Sequence, residues 1–241
     1  MPPTPADKAA AAAARPFIDA IDSRIVPEFF YYVTRFLARR TFRRVWLQND
    51  YGSGKALQNR STLFIGNHNA WWDALTPLLL NQKLLRQTPR AVMEWEQVDR
   101  YPFFRRIGCY SIDRKDPRSA LGSLRYGIDW LNNGTARNLW LYPEGKITNP
   151  VLPDSPFESG VGWMLPQLDS HVDLVPIIQH HHMMHHPKPD LFLWLGTPLK
   201  PDTLGSNKKE ITASLQRHIT SMKLTLAEKA APKEPDFRRL V

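Results

Sequence analysis

The sequence predicts an α/β fold, with a mixed, largely parallel sheet flanked by helices and preceded by an N-terminal amphipathic helical segment. Short runs of β-branched, aromatic and aliphatic residues alternate with stretches whose apolar residues repeat every three or four positions. Such alternation is typical of helices that cover a sheet of largely parallel strands. The 241 residues, 42% of them hydrophobic, suffice for one large domain or two small ones.

The chain divides into four predicted parts. Residues 1–15 form a Pro/Ala-rich leader, 16–55 the N-terminal helical segment, 56–230 the α/β domain and 231–241 a frayed tail. The six consecutive alanines of the leader are too weakly apolar for a signal peptide. No run of 18 uncharged apolar residues occurs, so we expect no transmembrane helix. We expect a cytoplasmic protein that lies peripherally on the inner face of the membrane.

The segment 16–48 has the apolar period of an amphipathic helix, which Pro27 is expected to break or kink. Five arginines and no acid fall between residues 35 and 44, interleaved with aromatics. This pattern is typical of a helix lying in a membrane interface. A helix packed on its own domain with a solvated arginine face is the alternative. Nucleic-acid binding is the third option, but no recognisable module supports it.

The formal net charge of +9 favours an anionic partner, whether an acidic membrane surface, a phosphate-bearing substrate or nucleic acid. Cys109 is the only cysteine, which excludes a disulfide and a cysteine zinc site and fits a reducing compartment. Gly54-Lys55 is not a phosphate-binding P-loop, because Ala56 stands where Ser or Thr is needed.

Within the domain, the predicted strands are residues 62–65, 91–94, 109–112, 139–142, 174–179 and 191–196. Helices are predicted from Asp73 to about Gln82, from Asp116-Pro117 to a stop at Gly134, and from Asn207 to about Ala230. Ligands of such sheets gather outside the carboxyl ends of the strands. We therefore expect polar residues that follow strands to converge on one edge.

His68 and Asp73 follow the first predicted strand of the domain and can form a base with its orienting partner. The spacing alone is weak evidence, because a partly buried histidine and a helix N-cap aspartate would look the same. Trp71 and Trp72 between them either line an acyl-chain route or fill the core.

Four cations surround the predicted strand 109–112 and form either an anion site or a solvated basic face: Arg105, Arg106, Arg114 and Lys115. The His-rich tract 180–186 is compatible with metal binding, but lacks the spacing of known zinc sites. We therefore interpret it as a polar connection or substrate-lining turn and predict no metal site.

Four motifs in order resemble the glycerolipid (1-acylglycerol-3-phosphate) acyltransferase family, the PlsC-like enzymes. The family pattern N-H-x-x-x-x-D matches Asn67, His68 and Asp73. A glycine and a later Asp-Arg pair match Gly108, Asp113 and Arg114. F-P-E-G-T-R is present as Y-P-E-G-K-I at residues 142–147, and V-P-I as residues 175–177. Together the motifs cover residues 61–200.

The resemblance implies acyl transfer from acyl-CoA or acyl-carrier protein as co-substrate, with no other cofactor. His68 would be the general base and Asp73 its partner. The acceptor would be a lysolipid at a membrane surface, and nucleic acid would not be a partner. The implied substrate-binding residues are Asn67, Arg106, Gly108, Arg114, Glu144, Gly145 and Lys146.

The sequence departs from the family pattern in the third motif, where Lys146-Ile147 replaces Thr-Arg. In the family that arginine is associated with the acceptor's phosphate. Lys146, Arg106 or Arg114 could take its place, or the acceptor could be a lysophospholipid with a substituted head group, a glycolipid or another lipid alcohol. A non-catalytic binding protein of the same fold is the alternative function.

Overall fold

The structure is a computed structural model that describes residues 15–149 and 156–241. Eight strands form one sheet within these residues, in the order β4-β3-β5-β2-β6-β7-β1-β8. The strands are β1 (Val45–Asn49), β2 (Ser61–Gly66), β3 (Thr88–Glu94), β4 (Cys109–Ile112), β5 (Arg137–Leu141), β6 (Val172–His182), β7 (Asp190–Leu195) and β8 (Arg238–Arg239). The α-helices are α1 (Ile25–Thr41), α2 (Thr76–Leu80), α3 (Trp95–Arg100), α4 (Pro117–Asn132), α5 (Gly160–Met164) and α6 (Lys208–Ala230).

The sheet is mixed and largely parallel, which confirms the predicted fold class. Strands β4, β3, β5, β2 and β6 all run in one direction, so their carboxyl ends share one edge. Strand β6 pairs with β2 along its first half and with antiparallel β7 along its second. A short connection joins β6 to its antiparallel neighbour β7. The parallel strands β4 and β5, which lie on either side of β3, are joined through helix α4, since parallel strands need a crossover connection.

Both faces of the sheet are covered, which explains why the central strands are apolar throughout rather than alternating. Leu63 and Ile65 of β2 point into a core formed with α4, α5 and α6. Phe64, between them, points to the opposite face and stacks on Trp140 with ring centroids 4.3 Å apart. Helix α2 and the end of α1 close this second core.

The two long helices of the first face begin where the sequence predicts. Asp116 caps α4 by accepting a hydrogen bond from the Arg118 N–H at 2.9 Å, and Pro117 occupies the first helical position. Asn207 caps α6 by accepting from the N–H groups of Lys209 and Glu210, each at 3.1 Å.

The N-terminal segment differs from the amphipathic helix predicted over residues 16–48. Residues 15–24 are neither helix nor strand and pass the edge of β4, where Ile18 and Ser111 exchange two hydrogen bonds. Helix α1 then runs without the kink predicted at Pro27, because the proline lies in the first turn, where its missing N–H has no helical partner to lose. Strand β1 follows inside the predicted helical range and belongs to the sheet, paired with β7.

The C-terminal residues also differ from the predicted frayed tail. Strand β8 pairs with β1, and the Leu240 N–H donates to the Val45 carbonyl at 2.8 Å. Phe237 packs edge-on against Phe192 of the sheet. Residues 1–14 of the predicted leader lie outside the described residues, while Arg15 forms an ion pair with Glu96. No helix among the described residues is both long and apolar enough to cross a bilayer.

Candidate active site

The loop that follows β2 is fixed at its first residue. The Asn67 side chain is fully buried and binds the backbone of Gln179 in β6 through two hydrogen bonds, of 2.9 and 3.0 Å. The Gln179 side chain in turn accepts from the Thr76 hydroxyl of α2. Asn67 therefore positions the chain at the carboxyl edge of the sheet before it reaches His68.

His68 and Asp73 are brought together by a turn of 3₁₀ helix over Trp71–Ala74. The His68 Nδ1 lies 3.1 Å from Asp73 Oδ2. That same oxygen accepts the backbone N–H groups of Asn69 and Ala70 at 2.6 and 2.8 Å, and the Asp73 side chain is completely buried. With an ionised Asp73, Nδ1–H is the donor, which leaves Nε2 as a proton acceptor on a side chain that is 20% exposed.

Tyr142 packs against the face of the His68 imidazole. Its ring stacks on that of His68 with centroids 4.9 Å apart and planes 24° from parallel. Its hydroxyl donates to the Asp73 carbonyl at 2.6 Å. Burial raises the pKa of Tyr142 well above its usual value, so the hydroxyl stays a neutral donor.

Glu144 ties the turn after β5 to the His68 loop. Its Oε2 accepts from the His68 N–H at 3.3 Å and from the Thr148 hydroxyl at 2.6 Å, and the residue is 5% exposed. Thr148 adds a backbone bond from its N–H to the His68 carbonyl at 2.8 Å. Asn69 closes the network by donating to the Thr148 carbonyl. Glu144 thus lies on the backbone of His68, inside the protein.

Arg114 and Gly145 lie in contact beside this network. Gly145 has φ +65°, and a Cβ at this position would overlap the Arg114 guanidinium. The guanidinium Nε donates to Glu94 at the end of β3, and its Nη1 lies 3.8 Å from Glu158 Oε1. The Gly145 N–H donates to the Tyr142 carbonyl at 3.0 Å, so that amide is not free to bind an oxyanion.

Arg106 and Gly108 are not brought to His68. They precede β4, whereas Arg114 follows it, so they lie at the opposite edge of the sheet. Gly108 has φ +100°, and a Cβ there would collide with the Pro89 carbonyl. The glycine of the second motif is therefore required by backbone conformation and close packing.

The remaining predicted residues are divided between surface and interior. Lys146 is exposed on the turn, as is Ile147 at 53%. Trp72 is buried against Phe42 and fills the core, while Trp71 is 60% exposed. An acyl-chain route along Trp71 stays a prediction.

The His-rich tract is not a loop at its start, because His180 to His182 are the last residues of β6. Burial lowers the pKa of His180 to about 4, and His182 and His181 act in the same direction. No group of three or more His, Cys, Asp and Glu side chains is arranged to hold a metal ion in residues 15–149 and 156–241.

Several residues of the network were not predicted from the sequence: Tyr142 as a ring partner, Glu94, Thr148, Gln179 and Thr76. Gln179 could have been recognised from the sequence, because it is a polar residue in an otherwise apolar strand. Thr148 has none, because its role depends on how the turn after β5 folds over the His68 loop.

The fold and the site together define an α/β protein with a carboxylate-held histidine at the carboxyl edge of its sheet. Residues 48–179, more than half of the chain, match the family model described as Acyltransferase. The chain belongs to this acyltransferase family, which confirms the resemblance seen in its motifs.

A solved structure is similar over most of its length. It is the crystal structure of the 1-acyl-sn-glycerophosphate (LPA) acyltransferase PlsC from Thermotoga maritima, with a TM-score of 0.54 and 15% identity. The alignment covers 86% of this chain and 81% of that chain. At this identity the likeness is one of fold. No sequence among the curated proteins matches this chain.

Proposed function

We propose that the protein transfers a fatty acyl group from acyl-CoA or acyl-carrier protein to the hydroxyl of a lysophospholipid or related lipid alcohol. The observation that carries this proposal is the His68–Asp73 pair, which leaves Nε2 of a partly exposed ring without a hydrogen-bond partner among the described residues. Membership of the acyltransferase family supports the reaction class. The LPA acyltransferase activity named for the structural neighbour supports a lipid acceptor.

In the proposed mechanism, His68 Nε2 takes the proton of the acceptor hydroxyl as its oxygen attacks the thioester carbonyl. The new C–O bond forms, the C–S bond breaks, and the imidazolium returns its proton to the departing thiolate. The Asp73 carboxylate stabilises the imidazolium and holds the ring in the required tautomer. Such base assistance contributes typically 10²–10⁴-fold to the rate.

No covalent acyl-enzyme is needed for this route. Cys109, the only thiol, is buried, and burial raises its pKa to about 12. It is therefore a poor nucleophile at neutral pH. Glu144, Asn67 and Tyr142 act by fixing the His68 loop, whereas Arg114, Gly145 and Lys146 face the side from which an acceptor would approach.

We also propose that the protein docks peripherally on a membrane through α1. Ile25, Phe29, Tyr32 and Phe36, spaced four, three and four apart, form one exposed apolar stripe. Arg39 and Arg40 lie exposed in the last turn of the same helix. Helix α1 packs against α2 through Phe30 and Leu78, so this stripe flanks the helix that follows Asp73.

The acyl-transfer proposal is tested with the purified chain, acyl-CoA or acyl-carrier protein, and a panel of lysolipids and lipid alcohols. We expect turnover with at least one acceptor and its loss in His68→Ala. Near-normal turnover of His68→Ala would overturn the base assignment. Specific lipid binding without turnover by the wild type would favour the non-catalytic binding protein.

Vesicle flotation tests the membrane proposal. We expect flotation that increases with the anionic lipid content and that Phe29→Ser combined with Phe36→Ser weakens. The control is Leu224→Ser, which changes an equally exposed apolar residue of α6. Binding to nucleic acid in preference to vesicles, with a steep salt dependence, would contradict the proposal.

A further inference from the structure

We propose, on the basis of the acyl transfer proposed above, that the acceptor's head group is an uncharged polyol rather than a phosphate monoester. A cluster of Glu94, Arg114 and Glu158 beside the Gly145 turn would bind its hydroxyl groups. These three residues, which we call the Glu–Arg–Glu cluster, come from three different segments of the chain.

Within the cluster, the two carboxylates already balance the positive charge of Arg114. The Arg114 Nε donates to Glu94, and its Nη1 lies 3.8 Å from Glu158 Oε1. The three side chains are 38%, 35% and 66% exposed for Arg114, Glu94 and Glu158, so a ligand in solution can reach them. A phosphate monoester carries nearly two negative charges at neutral pH and would meet two carboxylates around one guanidinium.

Two neighbouring cations, Arg15 and Lys115, are engaged as well. Glu96 accepts from Arg15 at 2.6 Å and from Lys115 at 2.9 Å. Position 147, where the family pattern has an arginine, holds an isoleucine that is 53% exposed. Lys146 is the one cation of the Gly145 turn, and it has no ion-pair partner within the described residues. In the Gly145 turn, as far as the structure describes it, Lys146 is therefore the one cation left to meet the two negative charges of a phosphate monoester.

The same cluster suits hydroxyl groups. Ionised carboxylates only accept hydrogen bonds and a guanidinium only donates them, while each hydroxyl does both. The Glu158 N–H donates to the Pro143 carbonyl at 2.8 Å, which fastens Glu158 to the turn that carries Glu144. Glu144 binds the His68 backbone, so the cluster is linked to the base by direct contacts.

The test compares acceptors that share one acyl chain and differ in the head group. Monoacylglycerol, a glycosylated monoacylglycerol and 1-acylglycerol 3-phosphate are presented in mixed micelles of constant surface charge, with one acyl donor. We expect the wild-type kcat/KM to be at least tenfold higher for the uncharged acceptors. In Glu94→Gln combined with Glu158→Gln we expect this preference to narrow at least tenfold, mainly through a lower KM for the phosphate acceptor.

Glu228→Gln is the matched control, because it removes one exposed acid of α6 and should leave the preference unchanged. A purely structural role for the cluster would change kcat/KM for all acceptors alike, which would overturn the inference. Wild-type turnover that favours 1-acylglycerol 3-phosphate would also overturn it while leaving the proposed acyl transfer intact. Turnover with none of the acceptors, including the wider lysolipid panel, would overturn both.

Discussion

His68 and the three histidines that end β6 lie at the same edge of the sheet, but their surroundings differ. His68 lies in a loop, 20% exposed, with its Nδ1 on a buried carboxylate. His180, His181 and His182 lie at the end of β6, and burial lowers the pKa of all three. The Nε2 atoms of His181 and His182 are buried without a hydrogen-bond partner among the described residues.

This difference shows that a carboxylate partner and an accessible ring nitrogen, rather than histidine content, mark the candidate base. Asp73 itself is held by two backbone N–H groups, so the carboxylate that orients His68 has a fixed position. The β6 histidines instead occupy a structural position that favours their neutral form. A substitution should therefore affect activity at His68 and stability at His180.

The largest effect on kcat is expected when His68 and His180 are each replaced by glutamine in separate variants. His68→Gln should lower kcat on the order of 10³-fold, since it removes the base while keeping a polar side chain of similar length. His180→Gln should keep kcat within about threefold, because His180 does not contact His68 or Asp73. Steady-state kinetics of both variants with one acceptor make the comparison. Equal losses of kcat would show that the two groups do not differ as described.

Asp73→Asn should have the next largest effect, on the order of 10²-fold in kcat, because an amide cannot stabilise the imidazolium as a carboxylate does. The measurement is steady-state kcat with the acceptor used for the wild type. Since Asp73 also accepts two backbone N–H groups, thermal unfolding must accompany the kinetics. A variant that folds normally and retains wild-type kcat would contradict the role of Asp73.

Thr148→Val should lower kcat about tenfold. The substitution leaves the shape of the side chain nearly unchanged, but removes the hydroxyl that donates to Glu144 at 2.6 Å. Glu144 then loses one of the two hydrogen bonds that tie it to His68 and Thr148, and small displacements of a base are costly for catalysis. Thr148→Ser restores the hydroxyl and should recover most of the activity. If serine and valine behave alike, the hydroxyl is not what matters.

Much of this site follows from the sequence because its parts are local. His68 and Asp73 are close in the chain, and a strand followed by a short 3₁₀ turn suffices to join them. The order of strands and helices similarly predicts which residues share the carboxyl edge of the sheet. Asp116 and Asn207 mark helix starts through contacts with residues two or three positions away.

The features that could not be predicted depend on distant contacts. Strand β1 pairs with β7, some 145 residues away, and only that pairing overrides the helical pattern predicted across residues 45–49. The Glu–Arg–Glu cluster joins residues 20 and 44 positions apart, from sheet strand and loop. Glycine at 108 looked like part of a ligand site, whereas the Pro89 carbonyl beside it explains the residue.

The smallest effect concerns the stability of the protein at low pH, to which the β6 histidines contribute. Burial lowers the pKa of His180 to about 4 from 6.5, so above pH 6.5 its neutral form is favoured in both the folded and unfolded states. Between pH 6.5 and 4 the unfolded chain binds a proton that the folded protein does not. The free energy of unfolding therefore decreases as the pH is lowered through this range. Urea unfolding at pH 7.5 and 5.0 should show His180→Gln losing about 1–2 kcal/mol less than the wild type. Equal losses would mean that His180 titrates normally in the fold and that its surroundings do not favour the neutral form.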